Sequence, residues 1–132
     1  MKEEKVKEIL QKHQLSFQNH STIYGTIRPG TGAYNLGFGN MMHTMKDHII
    51  HLGAEGVAIV AVDDNSGALR EETLKLLPRE KVRSIRMQVK LFSFLLTIAT
   101  DQGELQYKIR KSALGSPWHK ENLSYLLLNM TK

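Results

Sequence analysis

A glycine-rich segment, RPGTGAYNLGFGN, has the spacing that comes closest to a phosphate-binding loop. A loop of the G-x-x-x-x-G-K-[ST] type needs a lysine that reaches the phosphates. Gly32 and Gly37 have the required spacing, but Phe38 stands where the lysine should be. The dinucleotide-binding pattern G-x-G-x-x-G lacks its third glycine here. We therefore predict that Gly30–Asn40 is a connector, in which Tyr34 and Phe38 either hold the segment against the body or offer an exposed contact surface.

Three histidines in the segment HTMKDHIIH, namely His43, His48 and His51, are the candidate metal ligands. Two ligands from one helix are three or four residues apart, and His48 and His51 have that spacing. Residues 46–52 are better interpreted as a strand, however, and a strand directs residues three apart to opposite faces. We predict ordinary strand and loop histidines and no bound metal. The chain has no cysteine, which excludes disulfides, thiolate metal sites and thiol nucleophiles within it.

The remaining polar residues do not form a recognisable catalytic pattern. The acidic pairs Asp63–Asp64 and Glu71–Glu72 fall in a turn and on a charged segment, where solvation explains them. The serines lack the context of a nucleophile elbow, and Ser116 is explained as a helix cap. We therefore predict a protein that is not an enzyme and has no cofactor. The alternative is a small-ligand-binding or metal-binding protein, or an enzyme, that uses the Gly30–Asn40 loop and the three histidines.

Basic residues on one face of a predicted sheet are the best candidate for a binding surface. The net charge of +5 and the pI of about 9.5 favour an anionic partner. In residues 85–90 and 104–111, cations alternate with apolar residues and therefore share the outer face. This basic face is either a solvated surface or a partner surface, and it lacks the exposed aromatic residues of a single-strand nucleic-acid platform. Its members are Arg83, Arg86, Lys90, Lys108 and Arg110.

Hydrophobic periodicity predicts the elements that carry these residues. A spacing of 3.6 residues predicts a helix in residues 1–15, and Ser116 with Pro117 begins a second helix over 117–131. Short β-prone segments between them, over 22–111, predict an antiparallel meander with a hairpin connection at 53–56 and a bulge near Arg83 and Ser84. The apolar spacing of residues 69–77 suits a helical turn, but the segment is short, so its secondary structure is ambiguous.

The segment LFSFLLTIAT predicts the most apolar strand of the meander. Alternation along it directs one set of side chains inward, which consists of Phe92, Phe94, Leu96 and Ile98. The next strand, ELQYKIRK, alternates cleanly, with Leu105, Tyr107 and Ile109 inward. The final helix has an apolar stripe, made of Leu123, Leu126, Leu127 and Met130.

Three segments follow one another in a recognisable order: LLPREKVRSIRMQ, then KLFSFLLTIATDQGELQYKIRK, then PWHKENLSYLLLNM. Together with HIIHLGAEGVAIVAVD before them, this order resembles that of bacterial pleckstrin-homology-like (PH-like) domains, over about residues 46–130. The resemblance implies an α+β, mainly β fold: a bent antiparallel meander or PH-like barrel with a C-terminal capping helix, to which this chain adds an N-terminal helix.

The resemblance also bears on ligands. In eukaryotic relatives such folds bind inositol phospholipids or peptides, and the phosphoinositide-binding members use clustered Lys and Arg in and after the first strands. Between Tyr24 and Asp47 this chain offers only Arg28 and Lys46 as cations. The resemblance therefore implies an interaction module but does not extend to headgroup binding in that mode.

The chain as a whole, residues 1–132, has the length of one domain. From its charge we expect that the N-terminal segment is not a signal peptide, and the longest apolar run, 91–99, is shorter than the about 20 residues of a membrane-spanning helix. We expect a cytoplasmic, non-catalytic PH-like interaction module that binds a protein partner or an acidic surface through the basic face or an exposed strand edge. Contact with an anionic membrane and homo-oligomerisation by edge pairing are the alternatives, and nucleic acid is not expected.

Overall fold

The computed structural model describes residues 1–29, 32, 35–38 and 45–130. Its elements are, in chain order, α1 (Glu3–Lys12), β1 (Thr22–Ile27), β2 (Asp47–Gly53), β3 (Gly56–Val62), β4 (Leu69–Pro78), β5 (Val82–Val89), β6 (Ser93–Thr100), β7 (Gly103–Arg110) and α2 (Trp118–Met130). A single 3-10 turn, Arg79–Lys81, joins β4 to β5. No helix in the described parts of the chain is long and apolar enough to cross a membrane.

The seven strands form one sheet in the order β4-β3-β2-β1-β7-β6-β5. Every neighbouring pair is antiparallel, so the predicted antiparallel, mainly β architecture is confirmed. The two outermost strands, β4 and β5, each pair with one neighbour only. Because closure needs a ladder of hydrogen bonds between the edges, the sheet is open and the predicted barrel is wrong.

The open sheet is nevertheless strongly curved. Pro78 ends β4 and Val82 begins β5, so only three residues join opposite edges, and their four Cα–Cα steps span at most about 14 Å. In a flat sheet the edges of seven strands would be six strand spacings apart, or about 29 Å. The sheet must therefore curl around its apolar side. Leu77 of β4 and Met87 of β5 accordingly belong to the same buried cluster.

The main core lies between the concave side of the sheet and α2. The predicted inward residues of β7, Leu105, Tyr107 and Ile109, are all buried in it. The predicted stripe of α2 also packs here, with Leu123 and Leu126 buried and Leu127 and Met130 partly buried. Both expectations are confirmed, because alternating and helical apolar patterns mark the faces that must leave water.

A second, smaller cluster covers the opposite side of β2 and β3. Val6 and Leu10 of α1 pack there with Ile49, Ala58 and Val62. All seven residues of β3 are consequently buried, which explains why its sequence, GVAIVAV, is continuously apolar. The N-terminal helix is thus part of the packed body.

Two segments clarify or correct the sequence interpretation. The ambiguous residues 69–77 lie in β4, which pairs with β3 across a register shift between Ile59 and Ala61. The predicted bulge near Arg83 and Ser84 is confirmed by a register shift in the β5–β6 ladder. Phe92, predicted to face inward, is exposed because β6 begins at the next residue and Phe92 belongs to the β5–β6 turn.

Candidate functional site

The basic face divides into two halves with different electrostatics. Near the β6–β7 turn, Arg83 forms an ion pair with Asp101, and the Arg86 guanidinium lies 3.8 Å from the Glu104 carboxylate. These pairs are exposed, so each contributes little stability. They do, however, place an acid beside each of the two arginines, so this half of the face presents little net charge.

At the other end of the same strands, four cations converge. Lys90, Lys108, Arg110 and Lys111, together called the basic corner, line one shallow depression. None of them forms an ion pair with another residue of the described structure. The pairing of Ser93 with Arg110, and the hydrogen bond from Lys90 N–H to the Ser93 carbonyl, bring the strand ends together. The basic corner is therefore a concentration of uncompensated positive charge.

The β5–β6 turn projects beside the basic corner. The Lys90–Ser93 hydrogen bond, 2.9 Å long, closes a turn whose two central residues are Leu91 and Phe92. Their exposed fractions are 82% and 80%, and that of the neighbouring Val89 is 70%. Three large apolar side chains thus face solvent next to four cations. Reasoning from the sequence missed this feature because it assigned Phe92 to the core.

A small pocket of about 180 Å³ adjoins the basic corner, between β1, β2 and the β7–α2 connection. Tyr24, Asp47, Lys108 and Arg110 are among its lining residues. Asp47 accepts hydrogen bonds from the Thr26 hydroxyl at 2.7 Å and, more weakly, from the Tyr24 hydroxyl at 3.4 Å. Burial, and then the Asp47 carboxylate, raise the pKa of Tyr24 to about 12. Asp47 is therefore engaged with hydroxyl groups rather than with a cation of the corner.

His48 and His51, the predicted strand histidines, lie on opposite faces of β2, as predicted. His48 is on the side of the main core, where Nε2 donates to the Met45 carbonyl and Nδ1 accepts from the Tyr107 hydroxyl, at 2.9 and 2.7 Å. His51 is on the other side, where Nε2 accepts from Gln18 N–H at 3.2 Å and Nδ1 donates to the Thr22 hydroxyl at 2.7 Å. All four ring nitrogens are thus bonded within the protein.

The electrostatics of these histidines agree with a structural role. Burial lowers the pKa of His48, and burial lowers the pKa of His51 to about 4, with the Glu55 carboxylate opposing it. Both rings are neutral at pH 7. The described residues contain no group of three or more His, Asp or Glu side chains placed to hold a metal ion. His43 lies outside the described residues.

The described part of the glycine-rich connector is docked on the body. Phe38 is fully buried in the main core, with the Lys75 ammonium 5.6 Å from its ring centre. Of the two roles predicted for Phe38, holding the connector in place is therefore correct, and its assignment as an exposed binding residue is wrong. A side chain at Gly32 would collide with the backbone of Glu104, so this glycine permits a close backbone approach. Tyr34 lies outside the described residues.

Comparison with known proteins yields no matching family model, no matching curated protein and no matching solved structure. The PH-like resemblance therefore stays a prediction.

Proposed function

We propose that the chain is a non-catalytic PH-like interaction module that binds an acidic partner through the basic corner. The PH-like part of the proposal is supported by seven consecutive antiparallel strands followed by a helix that packs on their concave side. This is the arrangement that the resemblance implies, apart from the open edges. Two kinds of partner fit this proposal: a protein with an acidic surface, or an anionic membrane.

The observation that carries the binding proposal is the contrast between the two halves of the basic face. Arg83 and Arg86 have acidic partners, whereas the four cations of the basic corner have none in the described structure. At physiological ionic strength charges act over about 8 Å, so cations that line one depression act on the same bound surface. Binding through them should weaken as salt rises.

Edge pairing between copies is a weaker candidate. Both β4 and β5 have an unpaired side, which could accept another strand. These edges, however, carry exposed charges such as Arg70, Glu72, Arg83 and Arg86. Charged edge strands are a common defence against pairing between copies.

Titration with a fluorescent polyglutamate peptide tests the proposed function. The variant Arg110→Gln removes one cation of the basic corner, and Lys81→Gln is its control. Lys81 is exposed and precedes β5, about 25–30 Å along the strand from Lys90. We expect affinity that falls as salt rises, a loss of about fivefold for Arg110→Gln and little change for Lys81→Gln. Equal losses in both variants would show that net charge, and not the basic corner, binds the peptide.

A further inference from the structure

The residues of the β5–β6 turn are not those that a tight turn requires. Two-residue hairpin turns favour Gly, Asn and Asp, which adopt the necessary backbone angles or bond to their own backbone. Here both central positions hold large apolar residues, Leu91 and Phe92, that are almost entirely exposed. Neither turn geometry nor core packing therefore explains their identity.

Positive charge surrounds the two exposed side chains of the turn, Leu91 and Phe92, which together are called the apolar tip. Leu91 and Phe92 line the same shallow depression as Lys108, Arg110 and Lys111, and Lys90 directly precedes the tip. The nearby carboxylate of Asp47 is turned toward Thr26 and Tyr24. Asp101 and Glu104 pair with arginines in the other half of the basic face. The apolar tip thus projects from a surface on which the neighbouring charged side chains are cations without acidic partners in the described structure.

A partner that complements this surface must have negative charge that binds the cations. It must also have an adjacent apolar interior that the side chains of Leu91 and Phe92 can enter. An anionic lipid bilayer has this chemistry, because charged headgroups lie directly above hydrocarbon. Apolar side chains of peripheral proteins enter about 5–10 Å into that boundary, while Lys and Arg bind the headgroup layer. Side chains that project from a tight turn, such as those of Leu91 and Phe92, are long enough to enter to about that depth.

We propose that the acidic partner of the basic corner is an anionic lipid bilayer, and that Leu91 and Phe92 enter its interface. This inference rests on the proposed function and names its partner. The four cations of the basic corner line a shallow, open depression, and the adjoining pocket of about 180 Å³ contains the Asp47 carboxylate, which disfavours an anionic headgroup there. Binding is therefore selected by surface charge, so that phosphatidylglycerol and phosphatidylserine vesicles of equal charge bind alike.

Vesicle co-sedimentation tests the inference with the whole chain. Vesicles of phosphatidylcholine are compared with vesicles containing about one third phosphatidylglycerol or phosphatidylserine, at about 0.15 M salt. The variant Leu91→Ser/Phe92→Ser removes the apolar tip without changing charge, and Leu128→Ser on α2 removes another exposed leucine as its control. Lys108→Gln/Arg110→Gln removes two cations. Because all five side chains are exposed, the variants should keep their fold, which circular dichroism checks.

We expect the wild-type chain to bind anionic vesicles at least about tenfold more strongly than neutral ones. The tip variant should lose at least about tenfold in partitioning, and the double cation variant about 25-fold, while Leu128→Ser stays near wild type. In Phe92→Trp, the fluorescence should shift to the blue on anionic vesicles and be quenched by brominated acyl chains. Leu128→Trp should show neither change.

Three results would overturn the inference: tip-variant binding equal to wild type, equal binding to neutral vesicles, or a strong preference between the two anionic lipids at equal charge. Absence of vesicle binding together with salt-sensitive polyglutamate binding would refute the claim that the partner is a membrane. The proposed function would still stand, with an acidic protein as the partner. Failure of both assays would refute both proposals.

Discussion

Acidification should destabilise the fold through buried histidines, and His51 allows the effect to be calculated. Its ring is buried between the Thr22 hydroxyl and Gln18 N–H, and burial lowers its pKa from 6.5 to about 4. Because the folded-state pKa lies below the unfolded value, the unfolded chain binds the proton first. The stabilising effect of the neutral ring is therefore complete above about pH 6.5 and is lost as pH falls toward 4.

The size of the loss follows from the two pKa values. At pH 5 the unfolded ring is almost fully protonated and the folded ring almost fully neutral, so the free energy of unfolding falls by about 2 kcal/mol relative to pH 7.5. Burial lowers the pKa of His48 and His119 as well, which adds losses of the same sign. Hydrogen bonds from Ser16 hold the pKa of the half-buried Glu55 below its usual range, and those from the Ser66 and Asn65 N–H groups do the same for the half-buried Asp63, so both carboxylates contribute mainly at lower pH.

Urea unfolding at pH 7.5, 6 and 5, followed by far-ultraviolet circular dichroism, measures this loss. In His51→Gln the amide can accept from Gln18 and donate to Thr22 but cannot titrate. We expect it to be less stable than wild type at pH 7.5, and to lose about 2 kcal/mol less between pH 7.5 and 5. The control His13→Gln removes a histidine at the surface, whose Nε2 lies 3.0 Å from the Glu71 carboxylate, and should not lessen the wild-type loss. An unchanged pH dependence in His51→Gln would refute the assignment of His51 as a buried neutral ring.

Two further predictions concern stability and use matched substitutions. Phe38→Ala should cost about 3–5 kcal/mol in chemical unfolding because it empties a core position, whereas the same change at the exposed Phe92 should cost less than about 1 kcal/mol; similar costs at both positions would contradict the buried position of Phe38. Asn122→Ala should cost about 1–3 kcal/mol, since its amide donates to the buried Thr22 carbonyl at 2.8 Å, while Asn129→Ala on the exposed side of α2 should cost little. Equal melting temperatures of the two asparagine variants would refute that role.

The strands whose inward face could be predicted from sequence are those that bury one face and expose the other. In β7, Leu105, Tyr107 and Ile109 alternate with polar residues, and this pattern alone fixes its inward face. The edge strand β4 buries little on either face, so LREETLKLLP has no such pattern. Its extended conformation comes from hydrogen bonding to β3, and this pairing cannot be predicted from the local sequence.

The candidate site was predictable in outline only. Alternation placed the cations on one face, but their partners depend on cross-strand register, which brings Asp101 to Arg83 and Glu104 to Arg86. The same register places the turn at Leu91 and Phe92. Since the apolar alternation runs unbroken from Phe92 into Phe94, Leu96 and Ile98, the pattern itself gave no sign that Phe92 leaves the core.

The central claim is that the basic corner, rather than the basic face as a whole, binds the acidic partner. Amide chemical-shift mapping by nuclear magnetic resonance during titration with polyglutamate tests it most directly. We predict that the largest shifts lie at residues 89–93 and 108–112 and that they disappear as salt rises. Shifts centred on Arg83, Arg86 and the β6–β7 turn, or spread evenly over the surface, would contradict the claim.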